Sequence, residues 1–589
     1  MRLLLVPNAE LGQRCDGHTS FVPLGLLSLA TVLSRDEGIS VRVIDPREID
    51  FTPPCQTAEL LLAMDPDVVG FSTMCNTYPH ALRTAQIIKH VRPSIAVIFG
   101  GPHATVVAQE TLDAFGFVDF VLKGECERSI IDCVSLLDKQ DRGPADVPGL
   151  VFRLNGVATQ SRPCYPLLGA DDLPDIEYGC LRDLHEFCVI PLDAGRGCPF
   201  ACSFCTTSVY WARRNRFRRA RYLIEKMTSL QETYGINSFA LVHDNVTASA
   251  ERVKDLCEQI ISSGLSCEWM CSARPDSMDN ELLGLMYKAG CRSIFMGIES
   301  GSLRIQNLCR KGVRLDQAAP AIHTALTLRM AVTASFMIGF PYEKFSDVEK
   351  TIRMMADINY ETGTCCDLQL HLLSPVPGAP LLAEPGVETA RDENISDVSQ
   401  AGECDPTVRS WIDRYGDPIF TSLSHYVTPS VSRRTILNCR LGWITLFSYL
   451  RVVALALEEA RRADDFLMAN VFQDCDAPDG RRDSEADVEW CVRAVRQFLQ
   501  GSARPWAAAV AAVLEFEAVV YRLWRAGGSC VFSCDYEVSE WAERGVAGAA
   551  VVGLPKRCRR MYFIMKDDQG VKIVSLPLKN GGVDSTVVT

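Results

Sequence analysis

Apolar and polar positions alternate in blocks along the first 140 residues. Short apolar runs of strand length (RLLLVP, VRVID, VVGFS, AVIFG and FVLKG) are separated by stretches with helical spacing, such as PLGLLSLATVLSR and YPHALRTAQIIKHV. Strands regularly followed by helices build a parallel sheet wrapped by helices, which takes ligands at the carboxyl ends of its strands. This pattern predicts an α/β, Rossmann-like domain over 1–142, followed by a Pro- and Gly-containing connector over 143–186. A second alternating block starts at FCVIPLD, Phe187 to Asp193. It continues through SFALVHD, SCEWMCSA, SIFMGIE, TASFMIGF and CDLQLHLL. Six strand–helix repeats predict a partial (βα)6 barrel of the TIM type over 187–383. After SPVPGAP the alternation stops. Residues 384–589 read as a mainly helical domain that ends on the strand-like runs RMYFIMK and VKIVSLPL.

Composition changes this picture little. At 589 residues the chain is too long for one core. Hydrophobic and charged fractions of 47% and 23% exclude large-scale disorder. Acidic residues outnumber basic ones, 73 to 60, so the net charge of -13 repels a nucleic-acid backbone on average. The densest basic run, RRNRFRRAR from Arg213 to Arg221, reads as a solvated helix start beside an anionic cofactor in preference to an RNA surface. The opening MRLLLVPNAE is too short for a signal peptide. GWITLFSYLRVVALALEEA, Gly442 to Ala460, carries Arg451 in its middle and carboxylates at its end, which favours a buried helix over a membrane span. The 25 cysteines are then expected in a reducing cytoplasm, where clustered thiols suggest a metal and scattered ones fill cores.

One cluster stands out. GRGCPFACSFCTT places Cys198, Cys202 and Cys205 directly after the first barrel strand, at the end where barrel enzymes do their chemistry. Three thiolates on a short loop can hold three irons of a four-iron cluster and leave the fourth open to a ligand. Structural zinc would want a fourth Cys or His at similar spacing, and a redox dithiol would need only Cys202 and Cys205.

CxxxCxFC in this position resembles the radical S-adenosylmethionine (SAM) enzymes, and the resemblance extends over Phe187 to Pro380. It implies that the open iron binds the amino and carboxylate groups of SAM, which is cleaved reductively to a 5'-deoxyadenosyl radical. By the same resemblance, Asp244 and Asn245 in HDNVT hold the methionine amine. Arg274 in SARPD lies near the methionine carboxylate. Glu299 and Ser300 in GIESGS serve the ribose or the methionine end, and Ile338 in MIGFP covers the adenine with the backbone around it.

VVGFSTMCNTYPHA and VIFGGPHAT look like the cobalamin-binding domain, in which a Ser-x-Leu-type turn and a later Gly-Gly surround the nucleotide tail of the cofactor. Ser72, Thr73 and Met74 match the first, with Met in place of Leu, and Gly100 and Gly101 match the second. Paired glycines let a bulky tail lie against backbone. The pattern departs from the family at Asp16 and His18, because Phe21 stands where the histidine-ligating motif of some members has glycine. His18 is therefore expected to be a loop residue and not a cobalt ligand.

Together the resemblances imply a cobalamin-dependent radical SAM methyltransferase with three cofactors: a 4Fe-4S cluster, SAM and cobalamin. Its substrate would be a poorly reactive carbon of a natural-product intermediate or peptide, and its electrons would come from a flavodoxin or ferredoxin. No nucleic-acid partner and no membrane span are expected. Rearrangement, cyclisation or oxidation without net methyl transfer remains open, as do polar methylation and a non-enzymatic sensor. His371 and Tyr360 fit a substrate pocket or a core equally well. Cys530, Cys534 and Cys558 read as core thiols.

Overall fold

The computed structural model describes residues 1–7, 22–50, 52–138, 143–181, 183–187, 189–362, 365–391, 405–449, 484–500, 507–526, 529–536, 557–567, 570–579 and 582–583. Asp16, His18, Phe21 and Arg451 lie outside them. Two compact units emerge. One comprises Met1–Phe295, Cys309–Lys311 and Ser374–Tyr426; the other comprises Met296–Leu308, Gly312–Leu373 and Val427–Thr589.

In the first unit, β1 (Arg2–Val6), β2 (Ser40–Val43), β3 (Val68–Ser72), β4 (Ala96–Gly100) and β5 (Phe120–Leu122) run parallel in the order β2-β1-β3-β4-β5. Leu3 to Val6 are all buried, as expected for a parallel strand covered by helices on both faces. The strand order reverses between β1 and β3, which opens a crevice at the carboxyl ends there. The sheet continues into the expected connector. β6 (Leu150–Leu154) and β7 (Val157–Gln160) add an antiparallel hairpin beside β5. Its two-residue turn is Asn155-Gly156, with φ of 52° and 82°, the left-handed pair such a turn requires.

A distant segment returns to this sheet. The helix Pro406–Tyr415 sets Trp411 and Tyr415 edge-on against Phe115, each at 5.2 Å between ring centroids. Asp405 pairs with Arg83 at 3.0 Å, and Val408, Ile412 and Phe420 join the buried core that contains Phe71 and Phe99.

β8 (Ile190–Asp193), β9 (Gly195–Arg196), β10 (Arg216–Phe217), β11 (Ser238–Val242) and β12 (Glu268–Ala273) follow, each near an expected strand except the short pair β9 and β10. β11 lies parallel between β8 and β12. The boundary between the units runs through β13 (Cys291–Glu299). With β14 (Ala331–Ile338) and β15 (Asp367–Leu372) these strands complete a six-stranded sheet in the order β8-β11-β12-β13-β14-β15, the sequential order of a partial (βα)6 barrel. A small pair, β16 (Thr389–Arg391) and β17 (Ser424–Tyr426), closes the returning segment.

In the second unit, β14 and β15 pair in parallel, and the helix Arg433–Tyr449 lies against β15, where the Trp443 indole donates to the Leu368 carbonyl at 3.4 Å. Helices Ser484–Gln500 and Ala507–Ala526 are tied by Arg496 and Glu515 at 2.7 Å. The strand-like ending is larger than expected: β18 (Ser529–Tyr536), β19 (Arg557–Asp567), β20 (Gly570–Lys579) and β21 (Gly582–Val583) form an antiparallel sheet. Cys530 and Cys534 fall on β18 and Cys558 on β19; their side chains lie outside the described residues. No described helix is long and apolar enough to cross a membrane.

Candidate functional site

The three cysteines occupy the loop of a small hairpin. β9 continues from β8 and pairs antiparallel with β10, Arg196 opposite Arg216, and the chain between them carries Cys198, Cys202 and Cys205. Gly197 is required by the close approach of the two arms: at φ +93°, a Cβ there would sit 1.9 Å from the Arg214 carbonyl oxygen. The loop is anchored through its backbone. Ser203 donates its N–H to Cys309 O at 2.9 Å and accepts that of Leu381 at 2.7 Å. Asp244, at the end of β11, accepts the Gly197 N–H at 2.6 Å and the Thr207 hydroxyl at 3.4 Å, so it grips both flanks of the loop. Asp244 is nonetheless exposed, which leaves its carboxylate accessible to a ligand amine.

All three thiols are half-exposed on one loop. Burial pushes the Cys198 thiol up against the pull of the Phe200 backbone N–H; Cys205 and Asp244 add to the rise and Lys311 opposes it. Among the described residues, no three His, Cys, Asp or Glu side chains close around a single ion. A four-iron cluster does not ask for that, because each thiolate binds its own iron and the sulfurs stand apart. The donor set therefore fits a cluster better than a lone metal ion.

The other expected SAM contacts divide. Asn245 is buried; its amide N–H donates to His243 Nδ1 at 3.0 Å and its side chain accepts from Thr247 at 3.2 Å. That bond places the His243 proton on Nε2, and burial lowers its pKa despite Asp244 and Asp193. Arg274, at the end of β12, is engaged within the protein, through Asp276 and the Lys311 carbonyl. In the second unit, Glu299 ends β13 at φ +73°, 8% exposed. A left-handed non-glycine residue costs about 1–3 kcal/mol, and such strain concentrates at ligand sites. Ser300 is fully buried, sharing its hydroxyl with Thr351 at 3.1 Å and accepting the Ser302 N–H at 3.1 Å. Ile338 is fully buried too, as are Gly339, Phe340 and Pro341 after it. His371 meets Gln369 at 3.1 Å.

Sequence reasoning missed Glu343, four residues beyond Gly339. It is completely buried; Oε2 accepts the N–H groups of Gly339 at 2.6 Å and Phe340 at 3.2 Å, while Oε1 has no partner. Burial pushes its pKa up to about 8, against the pull of those two amides. Between the ordinary value of 4.5 and about 8 the folded state binds a proton that the unfolded state has released, so this group's contribution to stability declines as pH rises through that window. Glu343→Gln should match the native chain near pH 5 and exceed it by about 1–4 kcal/mol at pH 9. Urea unfolding at the two pH values checks this; an equal difference at both would refute it.

At the carboxyl ends of β1, β3, β4 and β5 lies a cavity of about 430 Å³, within the range of small-molecule sites. Ser72, Gly100 and Gly101 line it. A Cβ on Gly100 would meet the Leu122 carbonyl oxygen at 3.7 Å, an ordinary contact, so the protein itself leaves room for a side chain at this cavity-lining position. Gly101 is glycine for a local reason: at φ +92° its Cβ would lie 2.7 Å from Thr73 N. Thr73 is fully buried, donating to Gly100 O at 2.8 Å and accepting the Ala104 N–H at 3.3 Å. It shapes the turn and is not free to bind a cofactor. Met74 is exposed and does not line the cavity.

The rest of the lining includes Gly195, Arg196, Tyr210 and Trp211 from the flanks of the cysteine loop, and Asp244 from the end of β11. The basic run divides. Arg213, Arg214, Arg219 and Arg221 are exposed, the last two at the start of the helix Ala220–Tyr234 as expected, whereas Arg216 on β10 and Arg218 just after it are buried. Arg216 reaches Glu125 at 3.0 Å and Arg218 reaches Asp193 at 3.2 Å. Arg196 is held by Glu125 and Glu127, both at 2.7 Å, and by Asp193 at 3.5 Å. Burial disfavours its charge, but those three carboxylates outweigh it and hold its pKa above the ordinary value.

A doubly wound sheet with a glycine-floored cavity at its switch point, in one chain with a (βα)6 sheet that bears three thiols after its first strand, defines a cobalamin-binding radical SAM enzyme. Residues 18–131 match the B12 binding domain family and residues 193–355 the Radical SAM superfamily. The chain belongs to this family: it is 30% identical over 385 residues to an uncharacterized methyltransferase of Pyrococcus horikoshii, an alignment covering 64% of this chain and 82% of the relative. It is 26% identical over 399 residues to the anaerobic magnesium-protoporphyrin IX monomethyl ester cyclase of Rubrivivax gelatinosus, covering 66% of this chain and 70% of that protein. The radical SAM methyltransferase TsrM from Kitasatospora setae, solved with cobalamin and a [4Fe-4S] cluster, shares the fold at a TM-score of 0.58 and 15% identity, over 84% of this chain and 99% of that one. The cofactors are accordingly cobalamin, SAM and a four-iron cluster.

Proposed function

We propose that the chain is a methyltransferase that acts on a poorly reactive carbon of a natural-product intermediate or a peptide. The observation that carries this reading is the shared cavity, lined by Ser72, Gly100 and Gly101 and by the flanks of the cysteine loop. When bound, cobalamin and the cluster with SAM supply a methyl donor and a hydrogen-abstracting radical. The protein's part is placement, and few acid–base groups are needed beyond it. Ser72 and the bare backbone of Gly100 hold the cobalamin tail. Cys198, Cys202 and Cys205 hold the cluster. Asp244, with its exposed carboxylate, serves the SAM ligand. Leu24, Phe99, Tyr210 and Trp211 keep the cavity largely apolar and limit water. An external flavodoxin or ferredoxin would deliver the electron.

The reading is tested by stoichiometry. Each methylated product should consume two SAM molecules, one giving S-adenosylhomocysteine and the other 5'-deoxyadenosine plus methionine, in equal amounts. A methyl label on SAM should appear in the product. Product with deoxyadenosine but no homocysteine derivative would replace this reading by cyclisation or oxidation, chemistry for which the Rubrivivax relative is named a cyclase. Methylated product without deoxyadenosine would replace it by polar transfer.

A further inference from the structure

Arg274 stands where the family resemblance puts a contact to the methionine carboxylate, yet its side chain is turned to other work. It is only 6% exposed. Nε and Nη2 make a two-pronged pair with the Asp276 carboxylate, both bonds at 3.1 Å, and Nη1 donates to the Lys311 carbonyl at 2.7 Å. Its backbone is pinned as well: the N–H donates to the Thr247 hydroxyl at 3.2 Å and the carbonyl accepts the Ser277 hydroxyl at 2.7 Å. The guanidinium carbon lies over the Phe200 ring, 4.0 Å from its centroid. Phe200 is two residues after Cys198 and two before Cys202, inside the loop that carries the thiols.

We propose that Arg274 is a positioning residue for the cysteine loop, which it holds through the face of Phe200, and that it does not bind the SAM carboxylate. The guanidinium, held by Asp276 and Lys311, is fixed in place with its charge over the aromatic ring. An Arg–aromatic contact removed from water is among the stronger cation–π arrangements. It thus restrains the segment between the first two thiols, while Asp244 restrains the two ends of the loop. Asp244, whose exposed carboxylate can accept the methionine amine, keeps its own part in SAM recognition.

This proposal rests on the cysteine loop holding the cluster, and it is independent of whether the reaction is methyl transfer. The test uses iron-loaded full-length protein and two readouts: the rate at which a chelator strips iron, and the equilibrium binding of labelled SAM. Phe200→Leu keeps apolar bulk and removes the ring face; Arg274→Lys keeps the charge and removes the guanidinium. Each should speed iron loss by about tenfold, and the double variant should be no faster than the worse single one, as expected for two halves of one contact. SAM affinity should stay within about threefold of native in both, because the charge that binds its carboxylate would lie elsewhere. Weakening of SAM binding by tenfold or more in Arg274→Lys, with iron loss at the native rate, would overturn the proposal. So would additive effects in the double variant. If Arg274→Lys fails to fold, Phe200→Leu alone decides: unchanged iron loss sinks the clamp. Failure of the underlying site assignment would look different, since iron would then persist when the three cysteines are removed.

Discussion

Replacing Cys198, Cys202 and Cys205 together by alanine should take the anaerobically prepared protein from about four irons per chain to background and abolish all cleavage of SAM. The loss should be specific. The loop's hold on the fold runs through backbone groups, the Ser203 bonds to Cys309 and Leu381 and the Gly197 bond to Asp244, none of which uses a thiol. Cobalamin binding should therefore survive, because Ser72, Gly100 and the sheet beneath them are untouched. Iron analysis and the visible spectrum of the variant report the first effect, and cobalamin retention on gel filtration reports the second. A triple variant that kept its full iron would place the cluster on other residues.

The second large effect is expected at Arg196. Its guanidinium is shared by three carboxylates whose side chains are only 4%, 5% and 7% exposed, Glu125, Glu127 and Asp193. Arg196→Leu would leave those acids facing one another with Arg216 and Arg218 as the nearby cations. Removing one partner from a buried charge cluster costs about 3–5 kcal/mol. Denaturant unfolding at pH 7 measures this. A loss under about 1 kcal/mol at pH 7 would mean that the cluster is as solvated as a surface pair.

The strands of both sheets could be read from the sequence because parallel strands buried on two faces leave continuous apolar runs, and VVGFS or SIFMGIE cannot be mistaken for loops. The hairpin Leu150–Gln160 was equally available and was passed over: Asn155-Gly156 between two alternating runs is the strongest short-range signal of a two-residue turn. Other features had no local trace. Arg216 and Arg218 read as solvent-facing cations because their partners, Glu125 and Asp193, come from elsewhere in the chain. The turned-in Arg274 depends on Lys311, 37 positions away. Thr73 looked like part of a cofactor turn because its motif was recognised, whereas its hydroxyl is consumed by Gly100. A motif locates a site; which of its side chains are free to face the ligand is settled by tertiary partners.

The returning helix Pro406–Tyr415 has a practical corollary for the modularity of this family. Trp411 and Tyr415 cover Phe115, and Asp405 engages Arg83, so part of the sheet domain's core is supplied from a position hundreds of residues downstream. A recombinant chimera that exchanged the carboxy-terminal region at the end of the last barrel strand would strip this cover from the cobalamin-type domain and expose an aromatic patch prone to aggregation. A junction placed after Tyr426 would carry the helix along with the domain it completes.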